Sequence, residues 1–84
     1  AAALERALRI EPRNPRLWHE LARVKLNEGD YRQAAGMAAR SNTWTGENKT
    51  LRAANWRLIG EARRADGDEA GARDAFGKAD ALVR

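Results

Sequence analysis

Apolar residues recur along the chain every three or four positions, as at Trp18, Leu21 and Val24. This spacing places them on one side of an α-helix, and the composition is rich in alanine, leucine, arginine and glutamate, which favour helices. The pattern predicts five helices, over about residues 1–10, 15–27, 31–41, 49–65 and 69–83. The two prolines, Pro12 and Pro15, precede or open a helix and interrupt none.

Short boundary signals separate these helices. Asn14 is typical of a helix N-cap, and Pro15 suits the first helical position because its backbone angle is already helical. The pairs Gly29–Asp30 and Gly67–Asp68 each predict a glycine that ends one helix and an aspartate that caps the next. Connections this short predict antiparallel packing of consecutive helices.

The chain repeats itself. Residues 15–41 match residues 53–79 at an offset of 38, and the matched pairs are Trp18 and Trp56, Leu21 and Ile59, Ala22 and Gly60, Gly29 and Gly67, Asp30 and Asp68, and Ala34 and Ala72. The first helix matches the third at an offset of 34, which also aligns Asn14 with Asn48. The underlying period is therefore 34 residues, with four residues added between Thr45 and Ala53. We expect these four residues to lengthen the fourth helix at its start.

A helix–turn–helix period of 34 residues resembles the tetratricopeptide repeat. The motifs that carry the resemblance are Trp18-x-x-Leu21-Ala22, Gly29-Asp30-Tyr31, Trp56-x-x-Ile59-Gly60, Gly67-Asp68 and Ala72-x-x-x-Phe76, together with Ala7-Leu8-x-x-x-Pro12. The resemblance implies an all-α helical-hairpin solenoid of about two and a half repeats, with five antiparallel helices in one domain over residues 1–84. Residues 1–14 would be the second helix of a truncated repeat, 15–48 a full repeat, and 49–84 a full repeat with a lengthened first helix.

The family pattern also indicates a packing role for two of the tryptophans. Trp18 and Trp56 are expected to fill the space beside the small residues of their partner helices rather than to stack on a ligand. Lys25 and Arg63 stand where the family usually has an aromatic residue, and Gly46 stands where it has proline.

The polar stretch Ser41–Asn48 contains a third tryptophan, Trp44. In the repeat alignment Trp44 corresponds to Ile10 and Leu82, an apolar position in each copy. We therefore predict that Trp44 is a core residue that closes the end of the third helix. If this junction binds a partner, the better candidates are Thr45, Glu47 and Asn48.

Composition and charge exclude several functions. The chain has no cysteine and a single histidine, which excludes a disulfide framework, a thiolate zinc site and a two-histidine metal site. Carboxylates cluster near the last helix junction, at Glu61, Asp66, Asp68 and Glu69. Asp68 is expected to cap the fifth helix and Glu69 to complement its dipole, so an acid/base pair or a metal site is not expected there. Gly67 and Gly71 lack the Lys-Ser/Thr partner of a phosphate loop. We expect no catalytic residue, no cofactor and no metal, and hence no enzyme.

The remaining candidate site is a groove lined by the first helix of each pair. Polar residues spaced three and four apart share the face opposite the apolar one, and the predicted partner-binding residues are Arg16, His19, Arg23, Asn27, Arg57, Glu61 and Arg64. Such a groove suits an acidic or extended polar peptide, because arginine forks accept carboxylates. The alternative interpretation is a solvated helix face. The lysine and asparagine pairs with which some family members clamp a terminal carboxylate are missing.

A closer resemblance covers Leu4–Pro12, Leu17–Ala22 and Asn55–Ile59. These segments resemble the tetratricopeptide domain of bacterial envelope lipoproteins, one group of which activates class A penicillin-binding proteins, the peptidoglycan synthases. The resemblance implies a regulatory protein partner and a periplasmic location with a lipid anchor in the outer membrane; a cytoplasmic location is the alternative. The chain begins inside a predicted helix, so we expect a longer protein that carries a signal peptide and lipidated cysteine upstream.

Two further expectations concern surfaces. Phe76, Leu82 and Val83 form an edge that either docks a partner, pairs with a second copy, or folds back on the fourth helix. Sixteen basic against twelve acidic residues give a net charge of +4, so a nucleic-acid-binding helical domain is the alternative function. The arginines are spread over all five helices rather than along one stripe with interleaved aromatics, so nucleic acid is not the expected partner.

Overall fold

A computed structural model describes residues 2–84 as five consecutive α-helices. They are α1 (Ala2–Ile10), α2 (Pro15–Asn27), α3 (Tyr31–Thr43), α4 (Lys49–Ala65) and α5 (Glu69–Val83). Each helix packs on its neighbours in sequence, and α2 also contacts α4, so the pairs α2–α3 and α4–α5 stack side by side. The predicted all-α solenoid of antiparallel helical hairpins is confirmed, with α3 two residues longer than expected.

The helix pairs approach closely because small residues lie where they meet. Ala22, Ala34 and Ala72 are buried in this contact. Gly60 lies under the ring of Phe76, and a Cβ atom there would be 2.7 Å from Phe76 Cε1. These small residues therefore allow the close approach of the paired helices, and Phe76 folds back on α4.

The helix ends follow most of the boundary signals. The side chains of Asn14, Asn48 and Asp68 accept backbone hydrogen bonds at the starts of α2, α4 and α5. Gly29 has a φ of +84°, and the bonds from Gly29 N to Leu26 O and from Asp30 N to Lys25 O close α2 in a Schellman motif.

Asp30 departs from its prediction. It occupies the N-cap position of α3, but its side chain makes no capping hydrogen bond. Only its backbone takes part: the N–H closes α2, and the carbonyl accepts a hydrogen bond from Ala34 N at 2.9 Å.

The four added residues lie in helix α4. This helix has 17 residues and α2 has 13, while the capping asparagines Asn14 and Asn48 and the terminal glycines Gly29 and Gly67 keep equivalent places. The extra turn buries Leu51.

The core prediction for Trp44 is wrong. Trp44 is 36% exposed and Ile10, which aligns with it, is 81% exposed. The neighbouring Thr45 points inward instead, and its hydroxyl donates to Asn42 O and accepts from Arg52 Nε, each at 3.1 Å. The chain leaves α3 at Trp44 and turns at Gly46, which has a φ of +55°, so the apolar register of the helix does not extend to this position.

The same turn engages two of the three candidate binding residues of the junction in contacts within the chain. Thr45 is only 6% exposed, and the Asn48 side chain caps α4 by accepting a hydrogen bond from Leu51 N at 3.0 Å. Glu47 is exposed.

Trp18 and Trp56 are half-buried between helices, as expected for packing residues. Trp56 packs against the main core cluster, and Trp18 Nε1 donates a hydrogen bond to Pro12 O at 2.8 Å. At the C-terminal edge Leu82 is half-buried and Val83 is 51% exposed.

Candidate partner-binding groove

Helices α2 and α4 form the walls of an open groove with a volume of about 370 Å³. We call it the α2–α4 groove. Its lining residues are His19, Arg23, Leu26 and Asn27 from α2 and Ala54, Arg57, Leu58 and Glu61 from α4. On each helix these residues recur at intervals of three and four, so one face of each helix supplies one wall. The apolar lining residues are Leu26, Ala54 and Leu58, which we call the apolar floor of the groove.

The structure brings five of the seven predicted residues together in this groove: His19, Arg23, Asn27, Arg57 and Glu61. Arg16 lines an adjoining depression, which shares His19 and Ala54 with the groove. Arg64 lies outside it, because its long side chain reaches α5 and its guanidinium carbon is 5.1 Å from the ring centroid of Phe76.

Charge in the groove is mixed but predominantly basic. Arg23 forms a long ion pair with Glu20 at 3.7 Å, and both side chains are more than half exposed, so this pair contributes little to stability. Arg57 is exposed and has no ion-pair partner among residues 2–84. Its fork of donors is therefore free to bind a carboxylate from outside the chain.

A buried polar network lies beneath one end of the groove. The amide of Asn55 is completely buried and bonds to Ser41 Oγ at 2.8 Å, Asn42 Oδ1 at 2.9 Å and His19 Nδ1 at 2.6 Å. Ser41 Oγ in turn donates to Pro15 O at 2.7 Å. The network therefore joins α2, α3 and α4 and fixes the ring of His19 at the groove wall.

Sequence reasoning missed Asn55. The signal was present, because Asn55 lies midway between Leu51 and Ile59 on the buried stripe of α4. A polar residue inside an apolar helical stripe needs hydrogen-bond partners when it is buried. Its partners are far away in sequence, and only the stacking of the helix pairs brings them together.

The acidic residues near the last junction are engaged separately. Asp66 Oδ2 lies 3.6 Å from Arg32 Nε, and Asp68 Oδ1 accepts a hydrogen bond from Gly71 N at 2.9 Å. Within residues 2–84 no three histidine or carboxylate side chains converge as metal ligands would. None of the helices in this range combines the length and hydrophobicity required to cross a membrane.

Comparisons with known proteins agree with this architecture. A family model described as tetratricopeptide repeat matches residues 1–54. The solved structure of the globular C-terminal domain of P. aeruginosa LpoP superimposes with a TM-score of 0.91 at 44% sequence identity, covering 94% of this chain and 74% of that one. No curated protein matches the sequence.

Proposed function

The chain belongs to the tetratricopeptide repeat family, and we propose on that premise that it is a non-catalytic domain that binds a partner protein through the α2–α4 groove. Proteins of this architecture stack helix pairs into extended concave surfaces that serve as binding sites. The single observation that carries the proposal is the position of Arg23 and Arg57 on opposite walls of one open groove.

The chemistry of the groove indicates the class of partner. Two arginine side chains and an apolar floor suit an extended segment that carries carboxylates and lies between the two helices. Glu61 adds a negative charge at one position of the groove. An acidic segment with a polar or basic residue at that position would therefore bind better than a uniformly acidic one.

We propose a class A penicillin-binding protein as the partner and the periplasm as the compartment, with the longer protein anchored to the outer membrane by lipid. Two observations support this proposal. The segments Leu4–Pro12, Leu17–Ala22 and Asn55–Ile59 resemble the envelope lipoproteins that activate these synthases. The similarity to the globular C-terminal domain of P. aeruginosa LpoP extends over 94% of the chain.

The direct experiment mixes the purified domain with the purified periplasmic part of a class A penicillin-binding protein from the same organism. Binding is measured by calorimetry, and peptidoglycan synthesis is measured with and without the domain. Binding together with faster synthesis is the expected result. A synthase that neither binds the domain nor responds to it contradicts the proposed partner.

Contacts within the chain engage several basic side chains, which disfavours the nucleic-acid alternative. Four cationic side chains lie over aromatic rings of the same chain, which leaves them less available to phosphates, and they are Arg13, Arg40, Arg64 and Lys78. Lys25 and Arg32 face carboxylates.

A further inference from the structure

The direction of each hydrogen bond in the network beneath the groove can be worked out from the carbonyl of Pro15, where the network ends. Ser41 Oγ lies 2.7 Å from Pro15 O, and a carbonyl oxygen only accepts. The single hydroxyl proton of Ser41 therefore points at Pro15. The Ser41 oxygen is left as an acceptor toward the rest of the network.

This acceptor fixes the amide of Asn55. Its Nδ2 lies 2.8 Å from Ser41 Oγ and donates to it. The reversed amide would place a carbonyl oxygen against a hydroxyl oxygen that has no proton left to share. Asn55 Oδ1 consequently faces His19, as an acceptor 2.6 Å from Nδ1.

The orientation of Asn55 selects the tautomer of His19. Because Asn55 Oδ1 accepts, His19 Nδ1 carries the proton, and in a neutral imidazole Nε2 is then an unprotonated acceptor. No buried side-chain nitrogen or oxygen among residues 2–84 lacks a hydrogen-bond partner. His19 is half-buried and, among residues 2–84, bonds only through Nδ1, so Nε2 keeps solvent-accessible surface on the wall of the groove.

We propose that His19 is a specificity-determining residue that selects partner segments presenting a hydrogen-bond donor to Nε2 beside a carboxylate bound by Arg23 and Arg57. The proposal rests on the proposed peptide-binding role of the groove and names the chemistry of its ligand. A neutral His19 that offers only an acceptor repels a second acceptor and binds a hydroxyl, an amide N–H or an ammonium group.

The spacing of the two contacts defines the peptide pattern. His19 and Arg23 are four residues apart on α2, so they lie about one helical turn, about 5.4 Å, from each other. In an extended peptide, residues i and i+2 point to the same side and lie about 6.6 Å apart. The fitting ligand therefore has a donor side chain and a carboxylate two positions apart.

The tautomer is measurable directly, because His19 is the only histidine. Nitrogen-15 NMR of the folded domain at about pH 8, where histidine is ordinarily neutral, separates protonated from unprotonated ring nitrogens. We expect the proton on Nδ1 and an unprotonated Nε2. A proton on Nε2 would overturn the proposal.

The specificity is tested with three fluorescent peptides in a glycine frame. The reference peptide contains Thr-Gly-Glu, and each of the other two differs from it at one position, as Val-Gly-Glu or Thr-Gly-Gln. Threonine and valine have the same shape and differ by the donor hydroxyl. One hydrogen bond corresponds to about a threefold to tenfold preference for Thr-Gly-Glu over Val-Gly-Glu. The Gln peptide is expected to bind more weakly than the Glu peptide, because it lacks the carboxylate.

The His19→Phe variant should abolish the preference for threonine while retaining the preference for glutamate, with folding checked by thermal unfolding. An unchanged threonine preference in the variant, equal binding of the Thr and Val peptides to the natural sequence, or no binding of any peptide at millimolar concentration would each overturn the proposal. These probes contain no synthase, so their failure leaves the proposed partner standing, and failure of the synthase assay leaves the peptide specificity standing.

Discussion

The ammonium nitrogen of Lys78 lies 4.6 Å from the centroid of the Trp56 ring. The same relationship occurs 38 residues earlier, where the guanidinium of Arg40 lies 5.2 Å from the ring of Trp18. In both pairs the second helix of a hairpin places a cation over the tryptophan of the first. The repeat therefore includes a cation–π contact as well as the small residues at the helix interface.

The contact at Trp56 should contribute measurably to stability. We expect Lys78→Met to lower the free energy of unfolding by about 0.5–1 kcal/mol, because the side chain is partly exposed. Urea denaturation measures this change. Lys78 also pairs with Asp74 at 3.2 Å, so Asp74→Asn is the matched control, with an expected loss of at most about 0.5 kcal/mol. Equal losses in the two variants would assign the effect to the ion pair.

Replacement of Gly60 is expected to disturb the contact between α4 and α5. A Cβ atom at this position would lie 2.7 Å from the ring of Phe76, and the ring would have to move away from α4 to avoid the clash. Gly60→Ala should therefore lower the free energy of unfolding by about 1–3 kcal/mol. Gly77→Ala in α5 is the control, because nothing lies within 4 Å of its Cβ position. It should stabilise the domain by up to about 1 kcal/mol through helix propensity. Thermal unfolding of both variants checks the prediction, and a neutral Gly60→Ala would contradict the close approach of α4 and α5.

The polar network should stabilise as a unit. Asn55→Leu leaves polar groups of Ser41, Asn42 and His19 without their shared partner, at an expected cost of about 1–3 kcal/mol. The Ser41→Ala change removes one of these partners, and the double variant should cost less than the sum of the two single variants, because neighbours in one network are coupled. Additive losses in denaturant titrations would show that Asn55 and Ser41 act independently.

Local chemistry accounts for what could be predicted from the sequence. The ends of α2 and α5 depend on neighbours within a few residues, such as Asn14 before Pro15 and the Gly67–Asp68 pair, so the predictions there match the structure. The apolar period is a property of single helices, and it correctly indicated the packing faces.

Features that depend on tertiary geometry were missed or wrongly predicted. Trp44 was assigned to the core from the repeat alignment, but the turn at Gly46 and the reach of Arg52 to Thr45 decide which side chain points inward. The contact between His19 and Asn55 joins residues 36 positions apart and exists only because α2 stacks on α4. Arg64 has the same helical spacing as the residues of α4 that face the groove, yet its side chain is long enough to reach Phe76.

The central claim is that the groove binds the partner, and charge reversal at Arg57 tests it most directly. The affinity of the synthase for the Arg57→Glu domain is measured beside Arg73→Glu, which makes the same charge change at an exposed position of α5 outside the groove. We predict at least about a tenfold loss for Arg57→Glu, equivalent to about 1.4 kcal/mol, and nearly unchanged binding for Arg73→Glu. Equal affinities of the two variants would contradict the groove as the binding surface.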